Sequence, residues 1–476
     1  MTEVPLTVRE AAGMLRGREL SSVELTTGML ACADRLDARL GTYLVRFDEQ
    51  ALAAARAADA ALAAGIDHGP LQGIPVAVKD ILAASEGPTT AQSLVLDPAW
   101  GAGRDAPIVS RLRAAGAVIT GKVTTMEFAC GMPDPAKPFP IPRNPWDTGT
   151  WPGGSSSGTG SGIAAGMFLA GIGTDTGGSI RCPAAYCGVS GLKATFGRVP
   201  KSGCTPIGYS LDHVGPLARS AWDCAAMLRV LAGHHPSDPE SADVPVADYV
   251  RALGGDLRGV RVGVDRVHHF PDQADPALAG CFEAAVSALE QLGASVVEVS
   301  LPYWDEMLVA TMLTAYAEGL AYQMADLRTR WEDFFAGTRL FAARGALVSG
   351  ADYVQAQRVR RVAQRALQEL YREVDLVVAP TAGTGALRYD DHDELASLDT
   401  LLETMFTGYW NATGSPALSV PMGFTAEGLP LSLQIAGRPF EESLVLNAGD
   451  AYQGVTDWHL RVPPLVSEAA AVAVRA

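Results

Sequence analysis

Short apolar runs separated by helical stretches recur along this chain, and that alternation constrains the fold more than any other feature. Ile74–Val78, Ala117–Thr120, Gly259–Asp265, Ala294–Ser300, Asp375–Ala379, Ala417–Val420 and Leu431–Ile435 read as strands. Pro107–Gly116 and Pro276–Leu292 read as helices between them. Strands interleaved with helices predict an α/β fold with a mostly parallel, buried sheet. Residues 1–65 read as helical: Ser21-Ser-Val-Glu24 is a capping box opening a helix to about Leu40, and Asp48–Ala64 is Ala-rich. Residues 302–372 are mostly helical and aromatic-rich, as a cap over a pocket would be. No repeat and no long linker divides the chain, so 1–476 is expected to form one domain with a core over 66–235. Asp238–Asp248 reads as a surface loop.

The bulk properties exclude several functions. A net charge of −16 with no Lys/Arg cluster argues against nucleic-acid binding, because phosphate neutralisation needs basic patches. The longest apolar run, Gly162–Gly173, falls well short of the ~20 residues that span a bilayer, so no membrane partner is expected. Met1-Thr-Glu-Val-Pro-Leu lacks the cationic and apolar regions of a signal peptide. The seven cysteines are odd in number and scattered without zinc-ligand spacing. Free thiols and a cytoplasmic location are the expectation.

Two serines and a lysine stand on glycine-framed segments. Gly153-Gly-Ser-Ser-Ser-Gly158 carries Ser155, Gly173-Thr-Asp-Thr-Gly-Gly-Ser179 carries Ser179, and Gly73-Ile-Pro-Val-Ala-Val-Lys79 ends on the lysine. Acyl transfer by a Ser–Lys device needs these parts: a hydroxyl to attack, an amine to take its proton, and glycine-rich backbone to hold an oxyanion. A lysine ending an apolar strand is expected inside the protein, where burial disfavours its ammonium form. Asp80 follows on the opposite side of the strand and is not expected to partner Lys79.

Rival motifs are weaker. Gly160-Ser-Gly-Ile-Ala-Ala-Gly166 nearly fits a dinucleotide fingerprint, but no strand precedes it and its third glycine is one residue late. No Gly-Lys-Ser/Thr follows, so a P-loop is out. Gly154-Ser-Ser156-Ser-Gly158 fits a nucleophile elbow on Ser156, yet residues 143–153 do not form the strand an elbow needs, and no histidine has a distinctive setting. Asp390-Asp-His-Asp-Glu394 reads as a solvated acidic loop and not as a metal site. Tyr316, Tyr322, Trp331, Phe334, Phe335 and Trp410 could line an acyl pocket, but core is the better expectation for each.

Taken together these landmarks resemble the amidase signature family, from about Leu71 to Gly233 and more weakly to about residue 455. The resemblance rests on Lys79-Asp80, Gly121-Lys122, Glu127-Phe-Ala, Asn144-Pro-Trp, Gly153-Gly-Ser-Ser, Gly173–Arg181, Gly191-Leu-Lys and Ser210–Pro216 in one order. Ser155 and Ser179 stand 24 positions apart, as the family's two serines do. Ser157 and Ala194 depart from residues common in the family, Gly and Pro, at positions outside the catalytic set.

The resemblance implies an α/β fold: a single large domain with a twisted mixed β-sheet covered by helices on both faces. It implies Ser179 as nucleophile, Ser155 on a cis peptide as proton relay, and Lys79 as base. Backbone amides of Thr176, Gly177, Gly178 and Ser179 would form an oxyanion hole, and Ala129, Cys130 and Gly131 would meet the substrate. Asp175 and Arg181 read as buried support for the nucleophile loop. No cofactor and no metal are implied.

The implied reaction is hydrolysis of an acyl–nitrogen bond in a small amide, or in a hydrazide, carbamate or ester, by a free-standing enzyme, with a homodimer left open. The alternative is the A-type component of a glutamine-dependent amidotransferase, acting with partner subunits on charged tRNA. Glutamine-using relatives carry an Asp near the C-terminal Asn-x-x-Gly segment, whereas Leu401–Asn411 here holds only Glu403. An elbow-type esterase and a non-catalytic scaffold are the remaining classes. Retention of Lys79, Ser155 and Ser179 counts against the scaffold.

Overall fold

A computed structural model of the protein describes residues 6–389 and 403–468. Its frame is a sheet of eleven strands. They are β1 Tyr43–Arg46, β2 Pro75–Lys79, β3 Val118–Val123, β4 Ala170–Asp175, β5 Ser190–Lys193, β6 His213–Ala218, β7 Arg261–Val264, β8 Ser295–Glu298, β9 Leu376–Pro380, β10 Ala417–Phe424 and β11 Pro430–Gly437. The spatial order is β1-β3-β2-β4-β6-β5-β10-β11-β9-β7-β8. This is the expected α/β architecture, a single domain with a large mixed sheet flanked by helices.

The sheet is less parallel than the strand–helix alternation suggests. β2 runs parallel to β3 and β4, and β7 runs parallel to β8 and β9, but the centre between them is antiparallel. β10 and β11 show why. They are joined by a tight turn closed by Thr425 N–H on Leu429 O at 2.8 Å, a connection that only antiparallel neighbours allow. The N-terminal segment also departs from expectation. Its helices Val8–Gly17, Ser22–Leu40 and Asp48–Ala63 are present, with the Ser21/Glu24 capping box formed, but Tyr43–Arg46 between them joins the sheet edge.

Strand alternation sends neighbouring side chains of β2 into different cores. Val76 and Val78 belong to the core that also holds Leu112 and Leu228, whereas Ala77 belongs to a second core with Ile163, Phe168 and Leu36. Lys79 shares the parity of Ala77 and so faces the helix Ser157–Ala165. That helix is buried along its whole length because it is built of small residues. At Gly158 a Cβ would meet Thr42 O at 2.5 Å and Thr124 N at 2.7 Å. The helix therefore lies on the backbone leading out of β3, which places Ser155 just ahead of it beside the end of β2. Among the described residues no helix is long and apolar enough to cross a membrane.

Gly158→Ala should lower stability by about 1–3 kcal/mol, the usual cost of overpacking a rigid core. Equilibrium urea unfolding reads this as a lower midpoint at unchanged slope; an unchanged midpoint would mean that the helix can lift from the sheet without penalty.

Candidate active site

Lys79 ends β2 and is completely buried. Its Nζ lies 2.7 Å from Ser155 Oγ and 2.8 Å from Thr174 Oγ1. Among the described residues no carboxylate lies within ion-pair distance. Asp80 instead pairs with the buried Lys122 Nζ at 2.9 Å and accepts the Thr90 N–H at 3.0 Å, on the side away from Lys79 as its position predicts. Burial is therefore the dominant influence on the Lys79 amine. It brings its pKa down to about 7, against weaker opposing pulls from Cys204, Asp175 and Asp212.

Ser155 follows a cis Gly154–Ser155 peptide and is buried. Ser156 N–H donates to Ser179 O at 3.2 Å, which ties the two serine segments together. Ser155 and Ser179 line one cavity of about 160 Å³, and Ser179 is half-buried in its wall. Ser156 is not in that wall. Its hydroxyl is buried, donating to Thr174 O at 3.3 Å and accepting the Thr174 N–H at 3.2 Å, so it serves the backbone and the elbow arrangement is absent.

The loop before Ser179 is organised by one ion pair. Asp175, at the end of β4, accepts the N–H groups of Gly178 at 2.8 Å and Ile180 at 3.1 Å. Arg181 Nη2 meets its carboxylate at 2.9 Å, and Asn411 Nδ2 donates to it at 2.8 Å. Burial alone would raise this carboxyl. The Arg181 charge and these donors override it and hold Asp175 well below the usual carboxylate range. Arg181 continues to Thr407 O at 2.9 Å and Gln434 Oε1 at 2.8 Å, linking the loop to β11. At Gly178 the backbone takes φ +136°, with Thr407 where a Cβ would stand, so only glycine fits.

Of the four amides expected to hold an oxyanion, that of Gly178 donates to Asp175 Oδ1 at 2.8 Å, whereas no hydrogen bond is found for those of Thr176, Gly177 and Ser179 among the described residues. Ala129, Cys130 and Gly131 do line the cavity, yet the Ala129 and Cys130 amides close a turn onto Met126 O and Glu127 O. Two thiols share the wall. Burial pushes Cys182 up to about 12 and Cys130 well above its ordinary value, so neither is a thiolate at neutral pH.

The sequence motifs do not announce the rest of the wall. Leu308, Met312 and Phe341 come from the helices Trp304–Leu327 and Ala336–Ala346, and Met126, Trp151, Ile207 and Met405 are among the other side chains in it. None of the six aromatics weighed from sequence lines the cavity. Phe334, Phe335, Trp410 and Tyr316 are core, while Tyr322 and Trp331 are exposed at the surface. Asp390–Glu394, like Leu401 and Leu402, lies outside the described residues. Among the described residues no cluster of His, Cys, Asp or Glu could hold a metal ion.

The sequence matches the Amidase family over residues 24–446. It is 41% identical to the A component of the glutamyl-tRNA(Gln) amidotransferase of Chloroflexus aggregans, over 98% of this chain and 99% of that one. The peptide amidase of Stenotrophomonas maltophilia superposes with a TM-score of 0.82 at 31% identity, over 97% of this chain and 99% of that one. A chain from a protein complex connected with the origins of an s-triazine catabolic enzyme gives 0.87 at 32%, over 94% and 98%. The chain belongs to the amidase signature family, and it is an amide-hydrolysing enzyme.

Asp175→Asn would leave the Arg181 guanidinium buried without its counter-charge. Stability should fall by about 3–5 kcal/mol, the usual result of breaking a buried pair from one side, as measured by denaturant unfolding. A loss below about 0.5 kcal/mol, the size expected of an ordinary surface substitution, would show that Asn411 and Gln434 alone can hold Arg181.

Proposed function

We propose that this chain hydrolyses acyl–nitrogen bonds through a Ser179 acyl-enzyme, with Ser155 and Lys79 as the proton-transfer pair. The carrying observation is the buried Lys79 amine, 2.7 Å from Ser155 Oγ, behind a cavity that Ser155 and Ser179 share. An amine with a pKa of about 7 is substantially unprotonated at neutral pH and can accept a proton. Ser179 Oγ attacks the substrate carbonyl carbon while its proton passes to Ser155, whose own proton passes to Lys79 Nζ. The carbonyl oxygen takes the negative charge and rests on the amides of Thr176, Gly177 and Ser179. Collapse expels the nitrogen, which receives its proton from Ser155 as Lys79 returns one to Ser155. Water then attacks the ester by the same relay and frees the acid.

In this reading residues 66–235 supply the catalytic core of one domain, and the helices Trp304–Leu327 and Ala336–Ala346 cap the pocket. All seven cysteines are free, which suits a reducing compartment such as the cytoplasm.

The names of the similar proteins favour a second reading: an amidotransferase component that draws ammonia from glutamine and acts with partner subunits. At the site level, Glu403, the one acid of 403–411, is exposed, accepts from Gln273 Nε2 at 3.2 Å and is not among the residues that line the cavity. The readings separate experimentally. The isolated chain should hydrolyse simple amides without glutamine or tRNA. Inactivity alone, with glutaminase activity appearing only after partner subunits are added, would make the second reading the right one.

The pH profile follows from Lys79. Its neutral form carries the activity, so kcat/KM should rise with pH through about 7 and level off above. Lys79→Ala should reduce kcat by at least about 1,000-fold, since a nucleophile–base unit fails as a whole. A phosphonate probe should label Ser179; an adduct mapped to Ser156 would overturn the assignment.

A further inference from the structure

The wall of the cavity specifies its acyl group. Among the described residues that line it, none carries a charge or an imidazole. Apart from Trp151 Nε1, a buried donor for which no partner is found among the described residues, the hydroxyls beside Ser179 are engaged. Thr311 Oγ1 donates to Met307 O at 2.6 Å, one turn back, and so keeps its hydroxyl on its own helix. Thr176 Oγ1 donates to Asp212 Oδ1 at 2.5 Å, behind the wall. Ser155 faces Lys79. What remains beyond Ser179 is Met126, Trp151, Met312, Ala315, Phe341 and Met405, with Leu308 partly exposed at the rim.

We infer that the substrate presents a compact, uncharged, apolar acyl group, and that Leu308 and Met312 of the helix Trp304–Leu327 select it. The inference rests on the acyl-enzyme reading above. A cavity of about 160 Å³ is close in size to an engineered apolar cavity of about 150 Å³ that takes up one benzene. It therefore takes a branched alkyl chain or a phenyl ring and little more. A carboxylate or ammonium on the acyl group would lose its water there and meet no counter-charge, which disfavours both binding and the transition state. Methionine walls add adjustable fit to apolar groups of differing shape. The selection acts on the acyl half of the substrate, because the leaving nitrogen departs towards Ser155.

Primary amides test this cleanly, since all release ammonia and differ only in the acyl group. Isovaleramide and benzamide should show kcat/KM at least about 100-fold above succinamate and glutamine, the scale of rejection by a wall that cannot pair a polar group. Leu308→Lys places an ammonium at the rim, where a long polar side chain can be solvated. It should shift the succinamate-to-isovaleramide ratio at least about 10-fold towards succinamate, by adding attraction for the anion alone. Met312→Lys, deeper in the wall, is the second variant, and folding of each is checked by circular dichroism. Equal or better turnover of succinamate or glutamine by the wild type, with Ser179 still labelled by a fluorophosphonate, overturns the substrate class and leaves the acyl-enzyme reading standing. An unchanged ratio in both folded variants overturns the role of the two residues. Absence of both labelling and amide turnover overturns the acyl-enzyme reading itself, and the inference with it.

Discussion

Everything at this site depends on the desolvation of one amine. Lys79 ends a strand buried on both faces, with hydroxyls and no carboxylate at its Nζ. Bringing its pKa from 10.5 to about 7 means that the fold disfavours the ammonium by on the order of 5 kcal/mol. The sign has a consequence for the whole protein. An unfolded lysine binds its proton already below about 10.5, whereas this one stays neutral down to about 7. The group therefore costs nothing at high pH, and its penalty on folding grows as pH falls from 10.5 through 7. A site of this design is carried by the stability of the rest of the sheet.

The neighbouring charges show the opposite solution. Asp80 with Lys122 and Asp175 with Arg181 are equally buried, but each is paired at 2.9 Å. These pairs hold backbone in place: the Asp80 carboxylate accepts an amide at Thr90, and the Asp175 carboxylate accepts amides on either side of Ser179. The contrast divides the roles. Groups that position are paired with an opposite charge, and the group proposed to move protons is left without a counter-charge so that its own charge is negotiable.

What the sequence revealed, and what it hid, follows the same physics. Val76–Val78 is legible as a strand because both of its faces are buried, and the glycines framing Ser179 are legible because the loop there admits no side chain at Gly178. β5 and β6 were hidden. Ser190-Gly-Leu-Lys and His213-Val-Gly-Pro-Leu-Ala carry glycine, proline and polar residues that read as loop. Pro216 stands in register with Ile172 of β4, while pairing with β5 engages only Leu217 and Ala218. The commitment of the Gly178 amide to Asp175 was also out of reach, since spacing shows that amides cluster and not which partner each one finds. The pocket wall was hidden most completely. Leu308, Met312, Phe341 and Met405 are ordinary apolar residues in their local sequence, and only tertiary packing brings them within reach of Ser179.

That last point bears on how the relatives should be weighed. The A component of a glutamyl-tRNA(Gln) amidotransferase from Thermotoga maritima superposes with a TM-score of 0.80, and the peptide amidase with 0.82. One frame therefore hosts quite different substrates, and similarity of frame cannot choose among them. On the proposed reading the parts that can choose are those that line the cavity, and several of them come from helices between 304 and 346 and from Met405, outside the segment with the strongest motifs. Overall identity of 41% averages over the whole chain and gives these few positions no special weight. The chemistry of the wall is thus the more direct witness to the acyl group. Its lack of any charge among the described residues is the observation on which the proposed apolar acyl group rests, while the names of the similar proteins point to amide transfer on tRNA, and a comparison of matched amides decides between them.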